Sequence, residues 1–154
     1  MGVFESKLGD LRVVLTKRSA TLRHHSSEVS FPGGVRESSD NSLWQTALRE
    51  THEETGLDPS LVRQIGVEED LQTSISKMLI RPFVAEIPCD VEWRPDPSEV
   101  ESLLFPPLAM FSSPHRTQTV ERGNKSYDIL FFDYDSYLVW GATARILWRL
   151  ANRI

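Results

Sequence analysis

The sequence predicts an α/β layered sandwich with a mixed β-sheet. Three features carry that expectation: short apolar, β-branched runs spread along the chain, one acidic helix near its middle, and an amphipathic helix at its end. With 154 residues, 40 % of them apolar and 25 % charged, the chain suits a single compact domain over 1–154, and no repeat, low-complexity tract or linker divides it.

Taken in order, Leu11 to Thr16 is apolar and β-branched enough for a buried strand. A polar loop from Lys17 to Glu28 and a short strand at Val29 to Phe31 follow, and Pro32-Gly33-Gly34 ends that strand. Ser42 to Thr55 consists of helix formers, with an Asp40-Asn41-Ser42 cluster to cap its start and Gly56 to close it in the left-handed conformation. Further strands are expected near Val62 to Val67, Lys77 to Glu86, Val100 to Phe105 and Tyr127 to Phe132, the last after a Gly123-Asn124 turn, with one helical turn at Leu108 to Phe111. After Leu138-Val139-Trp140, the segment Ala142 to Leu150 sets Ala142, Ile146, Leu147 and Leu150 on one helical face that should pack on the sheet. Ahead of Leu11 only Val3-Phe4 could add a strand, and an exposed sheet edge there would invite pairing with a second copy, a homodimer.

A formal charge of −5 argues against a protein that grips long nucleic acid through its phosphates. A small anionic ligand needs only a local group of cations, and Lys17, Arg18 and Arg23 lie close together in sequence. Cys89 is the sole cysteine, which rules out an intrachain disulfide and a Cys-based zinc site and suits a reducing compartment. No stretch approaches the length needed to cross a bilayer and no secretory leader is evident, so the expectation is a cytoplasmic protein with no membrane partner.

The most informative stretch is Arg49-Glu50-Thr51-His52-Glu53-Glu54-Thr55-Gly56-Leu57. On a helix Glu50, Glu53 and Glu54 stand at i, i+3 and i+4, so three carboxylates share one face. Their mutual repulsion, about 0.2–0.5 kcal/mol per pair, needs compensation, and a divalent cation supplies it. All-oxygen ligands select hard ions, here magnesium or manganese, which coordinate substrate phosphate as well. Upstream, Gly33-Gly34 at a strand end lets backbone approach a ligand, while Ala47-Leu48 gives the helix an apolar side to bury. Arg49 can fix a glutamate by charge-assisted hydrogen bonds. His52 lies roughly 100° around the helix from its sequence neighbours and is left out of the ligand set.

Gly34 through Leu57 resembles the Nudix box, whose pattern is Gly, five residues, Glu, seven residues, then Arg-Glu-apolar-any-Glu-Glu-any-Gly-apolar. Asp40 takes the first acidic position, with eight residues rather than seven before Arg49, and Thr51 stands at the apolar position. The chain also resembles the coenzyme A pyrophosphatase branch of that family. It carries Phe31-Pro32-Gly33-Gly34, Glu37, Asp40 and Thr46-Ala47-Leu48-Arg49-Glu50 in the branch's order. Upstream of these come Val14-Leu15-Thr16-Lys17-Arg18-Ser19, Leu22-Arg23-His24-His25 and Glu28-Val29-Ser30, and Trp140-Gly141-Ala142-Thr143-Ala144 resembles its C-terminal pattern. Ser27 replaces a glycine of that pattern.

The resemblance implies a Nudix-type α/β/α sandwich with a mixed β-sheet, and hydrolysis of a nucleotide-linked pyrophosphate with Mg2+ or Mn2+ activating the attacking water. By carry-over Glu50, Glu53 and Glu54 bind metal with the Gly34 carbonyl, Glu50 is the first candidate base, Glu53 belongs to the catalytic set, and Arg49 orients the carboxylates. Glu99 or Glu101 would add an acid from outside the box, with Asp133 and Asp135 as weaker candidates. The small-molecule partner implied is coenzyme A or a derivative, cleaved to 3',5'-ADP and 4'-phosphopantetheine, with Gly33, Lys17, Arg23 and His25 on the substrate; the 3'-phosphate calls for cations of that kind. A hydrolase of ADP-ribose, dinucleotides or nucleoside triphosphates, and a Nudix module that binds nucleotide without cleaving it, remain open alternatives.

Overall fold

The computed structural model describes residues 1–20, 28–73 and 77–154. Its strands are β1 (Gly2–Glu5), β2 (Leu11–Val13), β3 (Leu15–Arg18), β4 (Val29–Ser30), β5 (Arg63–Val67), β6 (Leu71–Gln72), β7 (Leu79–Ile80), β8 (Phe83–Glu86), β9 (Val100–Leu104), β10 (Arg116–Arg122), β11 (Lys125–Tyr134) and β12 (Tyr137–Trp140). Helix α1 spans Leu43–Thr55 and α2 spans Gly141–Ala151, with 3-10 turns at Pro59–Leu61 and Leu108–Ser112. Among the described residues no helix is long and apolar enough to cross a membrane.

The strands form a mixed sheet ordered β2-β1-β8-β5, an antiparallel β10-β11-β12 meander, a β4-β3-β9 sheet and the β6-β7 pair. In the mixed sheet β1 runs parallel to β8 and antiparallel to β2.

The apolar run Leu11 to Thr16 is interrupted at Val14 because it changes partner there. Before Val14 it pairs with β1, and after it with β4 and β9. Val13 and Leu15 enter the main core with Phe111, Phe132, Val139 and the α2 residues Ala144, Leu147 and Leu150. Val14 enters a second cluster with Leu57 and Ile87. Alternate residues of one segment therefore serve two cores, which explains why Val13, Val14 and Leu15 are apolar without a break. Helix α1 lies over the second face, with Trp44 edge-on to Phe83 at 5.4 Å between ring centres and Ala47, Leu48 and Thr51 facing Gly2, Ala85 and Ile87 across a shared cleft.

Helix α1, the Leu108 turn and the terminal helix form as expected, with α2 burying Ile146, Leu147 and Leu150 and leaving Ala142 half-buried. Three expectations need correction. Lys77 to Glu86 is two strands, since Pro82 offers no N–H to the ladder and β7 pairs only with β6. Val3-Phe4 lies in β1, paired on both sides, so the edge argued to recruit a second copy is not there; β2 and β5 are the outer strands. Strand β10 was not anticipated, because Arg-Thr-Gln-Thr-Val-Glu-Arg shows no apolar alternation and residues 116–121 are almost entirely exposed. It is held by the hairpin whose Gly123-Asn124 loop joins Arg122 to Lys125.

Phe132 is fully buried, its ring 5.0 Å from that of Phe111 in edge-on contact. Phe132→Ala should lower the unfolding free energy by about 3–5 kcal/mol, read by urea denaturation. Leu8→Ala, at a side chain 88 % exposed, should stay within about 0.5 kcal/mol.

Candidate active site on the acidic helix

Helix α1 begins with a reciprocal cap: Ser42 Oγ accepts from the Gln45 amide at 3.1 Å, and Gln45 Oε1 accepts from the Asn41 amide at 2.8 Å. Asp40, expected to share in that cap, turns inward instead. Its buried carboxylate accepts from Arg49 Nε at 3.1 Å and Nη2 at 3.0 Å, from the Glu37 amide at 2.9 Å and from Thr46 Oγ1 at 3.0 Å. These bonds, those of Arg49 foremost, hold the Asp40 carboxyl well below the usual carboxylate range.

The rest of the Arg49 guanidinium is shared out. Nη1 donates to Glu50 Oε1 at 3.0 Å and to Glu53 Oε2 at 3.1 Å, and Nη2 also reaches the Val35 carbonyl at 3.3 Å. The glycine loop is thereby fastened to the helix. It passes so close that a Cβ on Gly34 would fall 2.4 Å from the Glu50 carboxyl carbon, and Gly33 has φ +151°, a conformation side-chain-bearing residues rarely adopt.

At the other end Gly56 closes α1 at φ 72°, and the last carbonyls are taken by a neighbouring loop. The Arg94 amide donates to Thr55 O at 2.9 Å and the Asp96 amide to Glu54 O at 3.1 Å. That loop leads into Glu99.

Glu50 and Glu54 form the inner part of the site. The Glu54 side chain is 3 % exposed, and burial pushes its pKa up to about 7, with the negative charges of Glu99 and Glu50 adding to the effect. Arg18, with Nη1 3.7 Å from Glu54 Oε1, and the Gly33 amide oppose it. Burial also raises Glu50, helped by Glu53 and Glu99 and opposed by Arg49. Glu53 is half-exposed and turned to Arg49.

Between the two acids considered outside the helix, Glu99 is the one whose charge reaches Glu50 and Glu54. Glu101 pairs with Lys17 at 4.0 Å, while Lys17 lies over the Tyr137 ring, 5.4 Å from its centre. The cause is a slip in register: Lys17 faces Ser102 and Arg18 faces Val100, leaving Glu101 as the extra residue of a bulge. Asp133 is tied to His115, and Asp135 occupies the turn between β11 and β12. His52 is exposed, with Nδ1 3.0 Å from the Leu57 carbonyl. Arg23 and His25 lie outside the described residues. Arg18 was not singled out from its neighbours by sequence, although the Lys17-Arg18 pair ahead of the loop was the available signal.

Among the described residues no three of His, Cys, Asp or Glu gather on a single point as metal ligands do; the carboxylates are divided between Arg49 and Arg18. The donor chemistry nevertheless fits a hard divalent cation. Glu54 Oε2 is fully buried and has no hydrogen-bond partner among the described residues, Glu50 is pressed against the glycine loop, and all the donors are oxygens.

Helix, glycine loop and mixed sheet define a domain that carries carboxylates on a helix against a glycine turn. Residues 3–128 match the family model for the NUDIX domain. Nudix hydrolase 15, mitochondrial, of Arabidopsis thaliana is 42 % identical over 160 residues, which cover 97 % of this chain and 55 % of that protein. The chain therefore spans little more than half of the plant relative's length. Uncharacterized Nudix hydrolase NudL of Photorhabdus laumondii is 35 % identical over 92 % of this chain and 76 % of its own. Among solved structures, the Nudix hydrolase RenU of M. Smegmatis shares the fold at TM-score 0.56 with 21 % identity, over 70 % of this chain and 67 % of its own. The chain belongs to the Nudix family.

The raised Glu54 pKa has a sign that can be checked. A carboxyl that holds its proton more tightly folded than unfolded contributes stability fully below its ordinary pKa of 4.5, and that stability is lost as pH rises to about 7. In chelator, the urea midpoint of the metal-free protein should fall between about pH 5 and pH 8, and Glu54→Gln should flatten that fall.

Proposed function

We propose that the chain, read as one Nudix domain over 1–154, is a pyrophosphohydrolase that uses Mg2+ or Mn2+ to cleave coenzyme A or its derivatives to 3',5'-ADP and 4'-phosphopantetheine. One observation carries the hydrolytic part: the buried, unpartnered Glu54 Oε2 beside Glu50, at the foot of the Gly33-Gly34 turn. A carboxylate oxygen left without a donor in a protein interior is costly unless something positive completes it. The continuity of β11 across residue 128, and the packing of α2 on the main core, support treating residues 129–154 as part of the same domain.

In this reading Glu50, Glu53, Glu54 and the Gly34 carbonyl hold the metal, and Glu99 is the acid from outside the helix. Bound there, a divalent cation supplies neutralisation of the diphosphate and a lowered pKa for water. Glu50, already raised by burial, takes the proton from the attacking water. Arg49, fixed by Asp40, keeps Glu50 and Glu53 aimed rather than free to rotate. The Gly33-Gly34 turn brings backbone to the phosphates without side-chain obstruction.

The coenzyme A assignment is supported by the motifs from Val14 to Ser30 and at Phe31-Pro32-Gly33-Gly34. Lys17, Arg23 and His25 are the cations offered to the 3'-phosphate. The lone, exposed Cys89 agrees with work in the cytoplasm, where a thiol stays reduced.

Incubation with coenzyme A and magnesium, resolved by mass spectrometry, should yield 3',5'-ADP and 4'-phosphopantetheine, and Glu54→Gln should reduce the rate about 100-fold or more. Intact coenzyme A alongside cleaved ADP-ribose or diadenosine polyphosphate would keep the hydrolase and discard the branch. Arg23→Ala should raise KM for coenzyme A more than for its 3'-dephosphorylated form; equal rises on both would remove Arg23 from the 3'-phosphate.

A further inference from the structure

Arg18 is absent from the roles assigned above, yet its guanidinium stands beside the buried carboxylate of Glu54. It is about one-quarter exposed, its Nε is fully enclosed without a hydrogen-bond partner among the described residues, and the same holds for Glu54 Oε2. The two groups face one another without engaging: Nη1 stands 3.7 Å from Glu54 Oε1, beyond hydrogen-bond range. A few residues away Arg49 and Asp40 show how this chain builds a structural clamp, with two bonds of 3.0–3.1 Å and two further donors on the carboxylate. The Arg18–Glu54 pair has the charges of a clamp and none of its bonds. Its place is nonetheless fixed, because the Arg18 amide donates to Glu28 O at 3.0 Å and the Ser19 amide to Glu99 O at 2.8 Å, and the bulge at Glu101 sets the strand's twist at this point.

We propose that Arg18 is the internal counter-cation of the acidic helix: it neutralises Glu54 in the metal-free protein and, once a divalent cation takes that carboxylate, offers its guanidinium to a phosphate oxygen of the substrate. The inference rests on the metal-dependent reading of the site. Cation repels cation at this separation, so metal on Glu54 weakens the attraction that holds the Arg18 head group to that carboxylate. Nη1, no longer drawn to Glu54, is then a donor suited to the tetrahedral oxygens of a diphosphate. A partly buried arginine whose nearest carboxylate stands beyond hydrogen-bond range is the arrangement expected of a group whose partner is supplied by the ligand.

The test is Mn2+ binding followed by electron paramagnetic resonance at about pH 8.5, above the usual carboxylate range, on the wild type, Arg18→Gln and Arg18→Lys. Methylenediphosphonate is then added as a diphosphate that cannot be cleaved. Without it, Arg18→Gln should bind Mn2+ about threefold or more tightly than the wild type, and Arg18→Lys about equally. With Mn2+ present, both variants should lose affinity for methylenediphosphonate, Arg18→Gln by about tenfold and Arg18→Lys by less. Unchanged or weaker Mn2+ binding by Arg18→Gln overturns the counter-cation role. Wild-type affinity for methylenediphosphonate in Arg18→Lys overturns the phosphate role. A wild type that binds no Mn2+ removes the metal helix itself, and this proposal with it.

Discussion

The rest of the site depends on a single buried ion pair, Arg49 with Asp40. Three glutamates on one helical face repel one another, and a flexible arginine beside them would only average over their positions. Asp40 removes that freedom. Two bonds fix the plane of the guanidinium, and Thr46 and the Glu37 amide fix Asp40 in turn. What remains of Arg49 points where geometry leaves it, at Glu50 and Glu53. The pair also joins helix to loop, because Val35 and Glu37 belong to the segment that follows Gly34. Fold and chemistry therefore share one anchor, and the orientation of the carboxylates is set before any ligand arrives.

A second constraint places that anchor in the domain. The segment through Val13, Val14 and Leu15 is apolar on both sides because α2 covers one face and α1 the other. Few residues of α1 are deeply buried, and those that are, Thr46, Glu54 and Thr55, are polar. An ordinary amphipathic helix would bury leucines at such positions. Here the helix gives up part of its apolar contact to bring a carboxylate inside, and the surrounding sheet supplies the packing that the helix does not.

Much of this was legible in sequence because local chemistry dictated it. Ser42 and Gly56 mark the ends of α1, the spacing of Glu50, Glu53 and Glu54 gives them one face, and the Gly123-Asn124 turn marks the approach to β11. What escaped depends on pairing over distance. Leu11 to Thr16 reads as one strand, and only the change of partner at Val14 splits it. Strand β10 carries no apolar alternation because both its faces meet solvent. Glu99 and Glu101 could not be ranked, since in a regular strand residues two apart share a face, and the bulge that separates them leaves no trace in composition. Arg18 belongs with these: its neighbour Lys17 carries the same charge in the same strand, and only the register shows which of the two turns toward Glu54.

The capping of α1 by the amides of Arg94 and Asp96 has a consequence for how such a site diversifies. Those amides seat the helix terminus on a surface loop, and Gly56 meets the backbone of Arg94 so closely that a Cβ there would lie 2.8 Å from its carbonyl oxygen. A residue gained or lost in that loop cannot be absorbed at the point of contact; it is passed to the helix as a small rotation. Ligand geometry can thus be retuned by loop length alone, with the acidic residues themselves untouched.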